Sequence, residues 1–257
     1  MRFAYSTINW GKDCDLAQAA SEIAAAGWRA VELYDHSLDL LGTPASVRRR
    51  LGGLGVATVF GHVAEPFQTR AQLERHRRQI ELAAELGAAA YGLVGGQRRR
   101  QRAPLPEEYA DLAGLLEEIA GEAADLGVDV AYHPHSGCTV ETEAEIDRAL
   151  DLAPRARLCL DVSHVAVVGE DAVTQLRKYR ERISYVHLKD WREGHFVGLG
   201  DGILGPQWPA IMEQLAGWDS WVVVEQSRSE VSPARSANDN AAFLSRLGYQ
   251  LAAPVEA

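Results

Sequence analysis

A strand–helix–strand alternation is clearest in residues 128–164, which read VDVAYHPHSGCTVETEAEIDRALDLAPRARLCLDVSH. Its two ends, Val128–Pro134 and Ala156–His164, are short runs of apolar, aromatic and β-branched residues, which are typical of buried strands. Between them, Thr142–Leu152 has apolar residues at helical spacing and opens with the capping-box pattern TEAE. The segment therefore predicts a strand, a helix and a second strand parallel to the first.

The same alternation extends over the whole chain. Strands are predicted at Arg2–Ile8, Ala30–Asp35, Val56–Val63, Ala88–Val94, Val128–Pro134, Ala156–His164, Ile183–Asp190 and Trp221–Ser227. Helices are predicted at Asp13–Ala26, Pro44–Leu54, Thr69–Leu86, Pro106–Leu126, Thr142–Leu152, Asp171–Arg182, Gln207–Ala216 and Ser236–Leu247. Eight strand–helix pairs in 257 residues predict an α/β protein with one (β/α)8 TIM barrel, a single domain over residues 1–257.

Composition and charge exclude several classes of protein. Hydrophobic residues make up 47% and charged residues 24%, as in ordinary globular proteins. The net charge of −10 disfavours nucleic acid and acidic membranes as partners. Three cysteines without a CxxC spacing indicate neither a disulfide framework nor a cysteine zinc site. Without a long apolar segment, we expect a cytoplasmic protein with a small-molecule substrate, able to form a homo-oligomer.

Polar side chains stand at six of the predicted strand ends, where a barrel carries its active site. Five of the eight histidines are among them. The residues at these ends are Glu32 and Tyr34, His62, His133 and His135, Asp161 and His164, His187 and Lys189, and Glu225.

Two of these ends predict a metal site. Apolar strands lead directly into Asp161 and Glu225, so two carboxylates reach the barrel mouth, where they repel each other unless a cation lies between them. Carboxylate and imidazole groups are common ligands of divalent metals, which adds His187. A fourth ligand is expected from strand five or its loop. His164, three residues after Asp161, could reach the same site from the loop.

The order of these residues resembles the xylose-isomerase-like barrel superfamily. Its members include sugar-phosphate isomerases and epimerases, inosose dehydratases, hydroxypyruvate isomerases and endonuclease-IV-type repair enzymes. The resemblance covers nearly the whole chain. It rests on Glu32, His62, His133-Pro-His135, Asp161-Val-Ser-His164, His187-Leu-Lys189-Asp190, Gly-Leu-Gly-Asp201-Gly and Val-Glu225-Gln.

The resemblance implies one divalent cation held by Glu, Asp, His and Glu from strands five to eight. Asp161, His187 and Glu225 match three of these ligands, but His133 stands where the strand-five Glu would fall. Either His133 is itself a ligand or Glu141 replaces the missing Glu, and we favour Glu141. The Tyr-His-x-His pattern is similar to the inosose-dehydratase-like branch. The expected ion is Mn2+, with Co2+, Zn2+, Mg2+ and Fe2+ as alternatives.

Such a site suits proton abstraction next to a carbonyl, with the cation stabilising the enediolate. We expect a metal-dependent isomerase or epimerase of a small sugar or keto-polyol, or alternatively a dehydratase of an inosose-type cyclic ketone. An endonuclease-IV-like phosphodiesterase and a non-catalytic sugar-binding barrel are further alternatives. The predicted acid–base and oxyanion groups are Glu32, His133, His135 and Lys189, and the predicted substrate contacts are His62, His164, Trp10 and Tyr34.

Overall fold

A computed structural model describes residues 1–99 and 101–251. Eight parallel strands close into a barrel, as the alternation predicted. They are β1 (Arg2–Ser6), β2 (Ala30–Tyr34), β3 (Gly55–Val63), β4 (Ala90–Gly95), β5 (Asp129–Tyr132), β6 (Arg157–Asp161), β7 (Ile183–Leu188) and β10 (Trp221–Val224). Their order around the barrel is β1, β10, β7, β6, β5, β4, β3, β2. A short antiparallel hairpin, β8 (Asp190–Arg192) and β9 (His195–Val197), follows β7.

Helices surround this barrel and return the chain from each strand to the next. They are α1 (Leu16–Ala25), α2 (Leu38–Leu41), α3 (Pro44–Leu51), α4 (Arg70–Leu86), α5 (Pro106–Ala124), α6 (Glu143–Leu152), α7 (Val162–Val167), α8 (Ala172–Lys178), α9 (Trp208–Leu215) and α10 (Pro233–Arg246). Within the described ranges, none of them is both long and apolar enough to cross a membrane. The eight predicted helices are present, and the short helices α2 and α7 add to them.

Local signals place the helix ends. The Asp15 and Thr69 side chains accept hydrogen bonds from backbone N–H groups in the first turns of α1 and α4. Gly87 ends α4 with φ +77°, a left-handed conformation that glycine adopts without strain. These caps fix where each helix leaves the barrel and therefore where the next strand begins.

The sixth strand is shorter than predicted. The prediction placed it at Ala156–His164, but β6 ends at Asp161 and α7 begins at the next residue. The cause is the Asp161 carboxylate, whose Oδ1 accepts hydrogen bonds from the backbone N–H groups of Ser163 and His164 and so caps α7. The seventh strand likewise stops at Leu188, and Asp190 opens the hairpin instead.

The barrel interior is layered because alternate residues of each strand point inward. The lower layer is built largely from small side chains, including Ala4, Ala30, Ala57, Ala90 and Ala131, with Cys159 and Tyr185. Two residues further along the strands, the polar residues predicted at the strand ends form the upper layer. A larger apolar core lies between the outer face of the barrel and the helices.

Candidate metal and catalytic site

Four side chains at the ends of four different strands, or directly after them, meet at the barrel mouth. His133, Asp161, His187 and Glu225 each present one ligand atom, and these atoms all lie within 4.8 Å of one another. All four side chains are buried, with exposed fractions of at most 3%. The barrel register explains the meeting, because β6 and β7 pair Asp161 directly with His187.

His187 lies at the centre of this cluster, between two carboxylates. Its Nε2 is 3.0 Å from Glu32 Oε2, and its Nδ1 is 2.8 Å from Glu225 Oε2. Thr58 Oγ1 donates a second hydrogen bond to Glu32 Oε2 at 2.9 Å. The contact to Glu32 keeps a proton on Nε2, so Nδ1, which faces the Glu225 carboxylate, is the nitrogen that would bind a cation.

Lys189 supplies the buried ammonium of the site. Its Nζ donates to Glu225 Oε1 at 2.6 Å and lies 3.8 Å from the centre of the Phe196 ring. Burial by itself would raise the pKa of Glu225, but the charges of Lys189 and His187 outweigh it and hold this pKa well below its usual range. Glu225 is therefore ionised and available as a ligand.

His187 is itself positively charged when no cation is bound, and a bound metal would replace the proton on Nδ1. Burial would lower the pKa of His187, but the Cys159 sulfur and the Glu32 carboxylate outweigh that effect and raise the pKa well above its usual value. The neighbouring His133 behaves in the opposite way, because burial and the charge of His187 lower its pKa well below the usual value. His133 is thus neutral and carries a lone pair.

His133, His135 and His164 form a second group beside the first. Their ligand atoms also lie within 4.8 Å of one another, and the rings of His135 and His164 have centroids only 3.6 Å apart. In each ring Nδ1 has a partner: His133 contacts the Cys159 carbonyl at 3.3 Å, His135 the Ser136 carbonyl at 2.7 Å and His164 the Ser136 hydroxyl at 3.0 Å. Donation from Nδ1 to a carbonyl leaves Nε2 of His133 and His135 as the lone-pair nitrogen.

Glu141, the predicted fourth ligand, lies apart from the cluster. Its carboxylate pairs with Arg98 Nε at 2.9 Å and accepts a hydrogen bond from the Gly137 backbone N–H at 2.7 Å. Arg98 also pairs with Glu145. The alternative ligand His133 is the one that the barrel brings to Asp161, His187 and Glu225, because it directly follows β5.

The predicted substrate contacts are distributed around the mouth. Tyr34 stacks on Phe60 with centroids 5.0 Å apart, and Phe60 stacks in turn on His187. His62 is about half exposed and pairs with Asp35 at 3.1 Å. Trp10 packs against Tyr5 and donates from Nε1 to Glu22, a residue of α1. Tyr34 therefore touches the aromatic wall of the site, whereas the contacts of Trp10 are with the surrounding helical layer.

The β8–β9 hairpin is a part of the site that the sequence did not predict. Phe196, on β9, packs against His164 and Trp191 as well as Lys189. Asp190, fully buried, holds the loop that carries this ring. Its two oxygens accept five hydrogen bonds, from the backbone N–H groups of Trp191, Gly200, Gly202 and Leu204 and from Trp208 Nε1.

Gly202 is required by the close packing of this loop. A Cβ at this position would lie 2.2 Å from Asp190 Oδ1 and 2.4 Å from the Trp191 carbonyl oxygen. The GLGDGILG segment is thus a loop wrapped around a buried carboxylate, and Gly202 lets its backbone approach that carboxylate closely.

Cys159 and Phe196 are the residues of this site that sequence reasoning missed. Cys159 precedes Asp161 by two residues and so shares its inward face, a relation that strand periodicity could have revealed. Phe196 carries no comparable signal, because its position depends on the fold of the hairpin.

The donor set fits a divalent cation. Asp161 Oδ2 is a buried polar atom without a hydrogen-bond partner, and His187 Nδ1 has only its ion-pair contact with Glu225, another member of the cluster. Buried polar atoms are normally paired, and a set of two imidazoles and two carboxylates is a common ligand set for divalent transition metals. The carboxylates of Glu32, Asp161 and Glu225 are all buried, and Lys189, which pairs with Glu225, is the one buried lysine of the described residues.

Comparisons with known proteins agree with this architecture. A family model described as "Xylose isomerase-like TIM barrel" matches residues 20–247. Among curated proteins, the inosose dehydratase of Lacticaseibacillus casei is 27% identical over 260 residues, 88% of this chain and 86% of that protein.

Two solved structures share the fold. An L-ribulose 3-epimerase has a TM-score of 0.79 and 18% identity, over 95% of this chain and 93% of that one. The IolI protein, solved with a bound zinc atom, has a TM-score of 0.76 and 17% identity, over 98% of this chain and 100% of that one. With the family model spanning most of its length, this chain belongs to the xylose isomerase-like TIM barrel family.

Proposed function

We propose that this protein is a divalent-metal-dependent isomerase or epimerase of a small sugar or keto-polyol. The observation that carries the proposal is the buried cluster of His133, Asp161, His187 and Glu225, in which Asp161 Oδ2 has no hydrogen-bond partner. A curated relative is named as inosose dehydratase, and a solved structure of the same fold is an L-ribulose 3-epimerase. Both names describe enzymes that act on polyhydroxylated carbonyl compounds, which supports a substrate of this class for this protein.

His133, Asp161, His187 and Glu225 would hold the metal, with Mn2+ as the expected ion. This proposal replaces Glu141 by His133 because Glu141 is paired with Arg98. When bound, the cation polarises nearby substrate oxygens and lowers the free energy of the negative charge that develops on them.

Glu32 acts through His187. By accepting a hydrogen bond from Nε2 at 3.0 Å, it holds the ring in the tautomer and orientation that directs Nδ1 to the cluster. Its own position is fixed by Thr58 and by complete burial. We therefore assign Glu32 a positioning role in place of the acid–base role expected from the sequence.

His135 is our candidate for the proton carrier. Its Nδ1–H donates to the Ser136 carbonyl, so its Nε2 has a lone pair that can accept a proton from a substrate carbon. His164 stacks beside it with an unpartnered Nε2, suited to hold a substrate hydroxyl. Lys189 keeps Glu225 ionised and can donate a hydrogen bond to a substrate oxygen.

Dehydration of an inosose-type cyclic ketone is the second candidate. It is favoured by the name of the curated relative and by His133 at the position where the resemblance places a Glu, which the resemblance implies is one of the two bases of an epimerase. The two reactions share the first proton abstraction and differ in whether a hydroxyl group then leaves.

Mass spectrometry of the products separates the two candidates. Metal-loaded protein is incubated in D2O with a panel of keto-sugars and inososes. Isomerisation or epimerisation keeps the substrate's composition and exchanges a carbon-bound hydrogen for deuterium, whereas dehydration removes one water. If no compound loses water or exchanges hydrogen with any of the five divalent metals, the proposal is wrong. The same result with His135→Gln as with wild type would remove the assigned role of His135.

A further inference from the structure

A third group of potential metal ligands extends deeper into the barrel. Cys159, His133 and His187 present ligand atoms within 4.8 Å of one another, and all three side chains are buried. This group shares both histidines with the cluster at the mouth but offers a thiol in place of the carboxylates.

The position of the thiol follows from the register of β6. Cys159 lies two residues before Asp161 and points inward one layer lower, paired with Tyr185 of β7. Its side chain packs in the small-residue layer of the barrel interior. His187 Nδ1 is buried and its only polar contact is the ion pair with Glu225, so it is the ring nitrogen that a metal in either position would take.

The two ligand groups differ in chemical softness. Carboxylates prefer hard ions such as Mn2+ and Mg2+, whereas a thiolate with imidazoles selects soft, thiophilic ions. We propose that Cys159, His133 and His187 form a second, deeper cation position that takes a thiophilic divalent ion such as Cd2+ or Zn2+. As the metal–sulfur bond forms, the thiol proton is released to water.

Binding at the two positions is mutually exclusive. His187 uses Nε2 to contact Glu32, and His133 uses Nδ1 to contact the Cys159 carbonyl, so each ring has a single nitrogen left for a metal. A thiophilic ion in the lower position therefore removes both histidines from the carboxylate centre and displaces its cation. The inference rests on the metal centre of the proposed function because it shares these two ligands.

The first test uses the Cys14→Ser/Cys138→Ser variant, in which Cys159 is the only thiol. The metal-free variant is titrated with Cd2+ while the ultraviolet thiolate-to-cadmium charge-transfer band is recorded. We expect the band to grow to one equivalent of Cd2+ per chain. If no band appears, the deeper position does not exist. This variant keeps the buried residue intact, so the test does not depend on a substitution in the barrel interior.

The second test measures competition through the electron paramagnetic resonance signal of free Mn2+. Cd2+ should release bound Mn2+ from wild type, and Cys159→Ala should weaken this displacement about ten-fold or more. Cys138→Ser is the matched control and should behave as wild type. Equal displacement in Cys159→Ala would overturn the inference. If wild type binds Mn2+ but shows no charge-transfer band, only the deeper position is refuted, whereas failure to bind Mn2+ refutes the metal centre itself.

Discussion

Replacing Asp190 by Asn tests whether this carboxylate holds the loop over the site. Oδ1 accepts two hydrogen bonds and Oδ2 accepts three. An amide has one acceptor oxygen, and its NH2 group must face the other set of donors, so at least two N–H groups lose their acceptor. The amide orientation that keeps three hydrogen bonds leaves the N–H groups of Trp191 and Leu204 without an acceptor.

The expected destabilisation follows from these two donors. A buried donor left without an acceptor costs about 1–3 kcal/mol, so Asp190→Asn should lower the free energy of unfolding by about 2–6 kcal/mol. Urea unfolding followed by circular dichroism measures this change. Since the loop carries Phe196, which covers Lys189 and His164, limited proteolysis should also cut the variant within residues 190–208 before wild type.

Asp201→Asn is the matched control, because Asp201 lies in the same loop and is exposed. We expect it to change the free energy of unfolding by less than about 0.5 kcal/mol. An Asp190→Asn variant as stable as this control, with an unchanged cleavage pattern, would refute the assigned role of the carboxylate.

Three further predictions concern the ligands and one buried histidine. His133→Ala should weaken Mn2+ binding by about ten-fold or more, measured by competition with a chelator. Glu141→Gln should change the same affinity by less than about three-fold. A larger loss of affinity in Glu141→Gln than in His133→Ala would make Glu141 the ligand. Glu32→Gln should weaken Mn2+ binding by about 10- to 100-fold with its Thr58 contact retained, and an unchanged affinity would contradict its positioning role. Burial lowers the pKa of His76 from 6.5 to about 4, so the unfolded chain binds a proton that the folded chain does not, and stability falls as the pH drops through this range. Unfolding free energies measured from pH 7 to pH 4 should therefore fall by about 3 kcal/mol less in His76→Leu than in wild type, and parallel curves would contradict this.

The barrel was predictable because its signals are local. Each strand is a short apolar run, each helix has its own period and cap, and eight repeats of such a unit have few other ways to bury their apolar faces. The family model confirms the resemblance seen in the strand-end residues. Strand ends were less predictable: β6 stops at Asp161 because the side chain that looked like a strand-end ligand also caps the next helix.

The sequence predicted which residue types stand at each strand end, but it did not predict which side chains these residues contact. Period-two alternation indicates that His187 and Lys189 share a face, but it cannot show that Lys189 pairs with Glu225, 36 residues away. The position of Glu141 depends on Arg98, a residue from another loop, and no sequence spacing relates the two. Asp190 was predicted to end the seventh strand, but the fold of the following loop, which no sequence spacing reveals, gives it five hydrogen bonds.

The metal content of the protein tests the central claim most directly. Wild type and Glu225→Gln are stripped of metal, incubated with Mn2+, freed of excess ion and measured by elemental analysis. The four-ligand centre predicts close to one Mn2+ per wild-type chain and a near-complete loss in Glu225→Gln, with both proteins folded by circular dichroism. Absence of bound metal from wild type, or equal amounts in the two proteins, would contradict a metal centre at the barrel mouth.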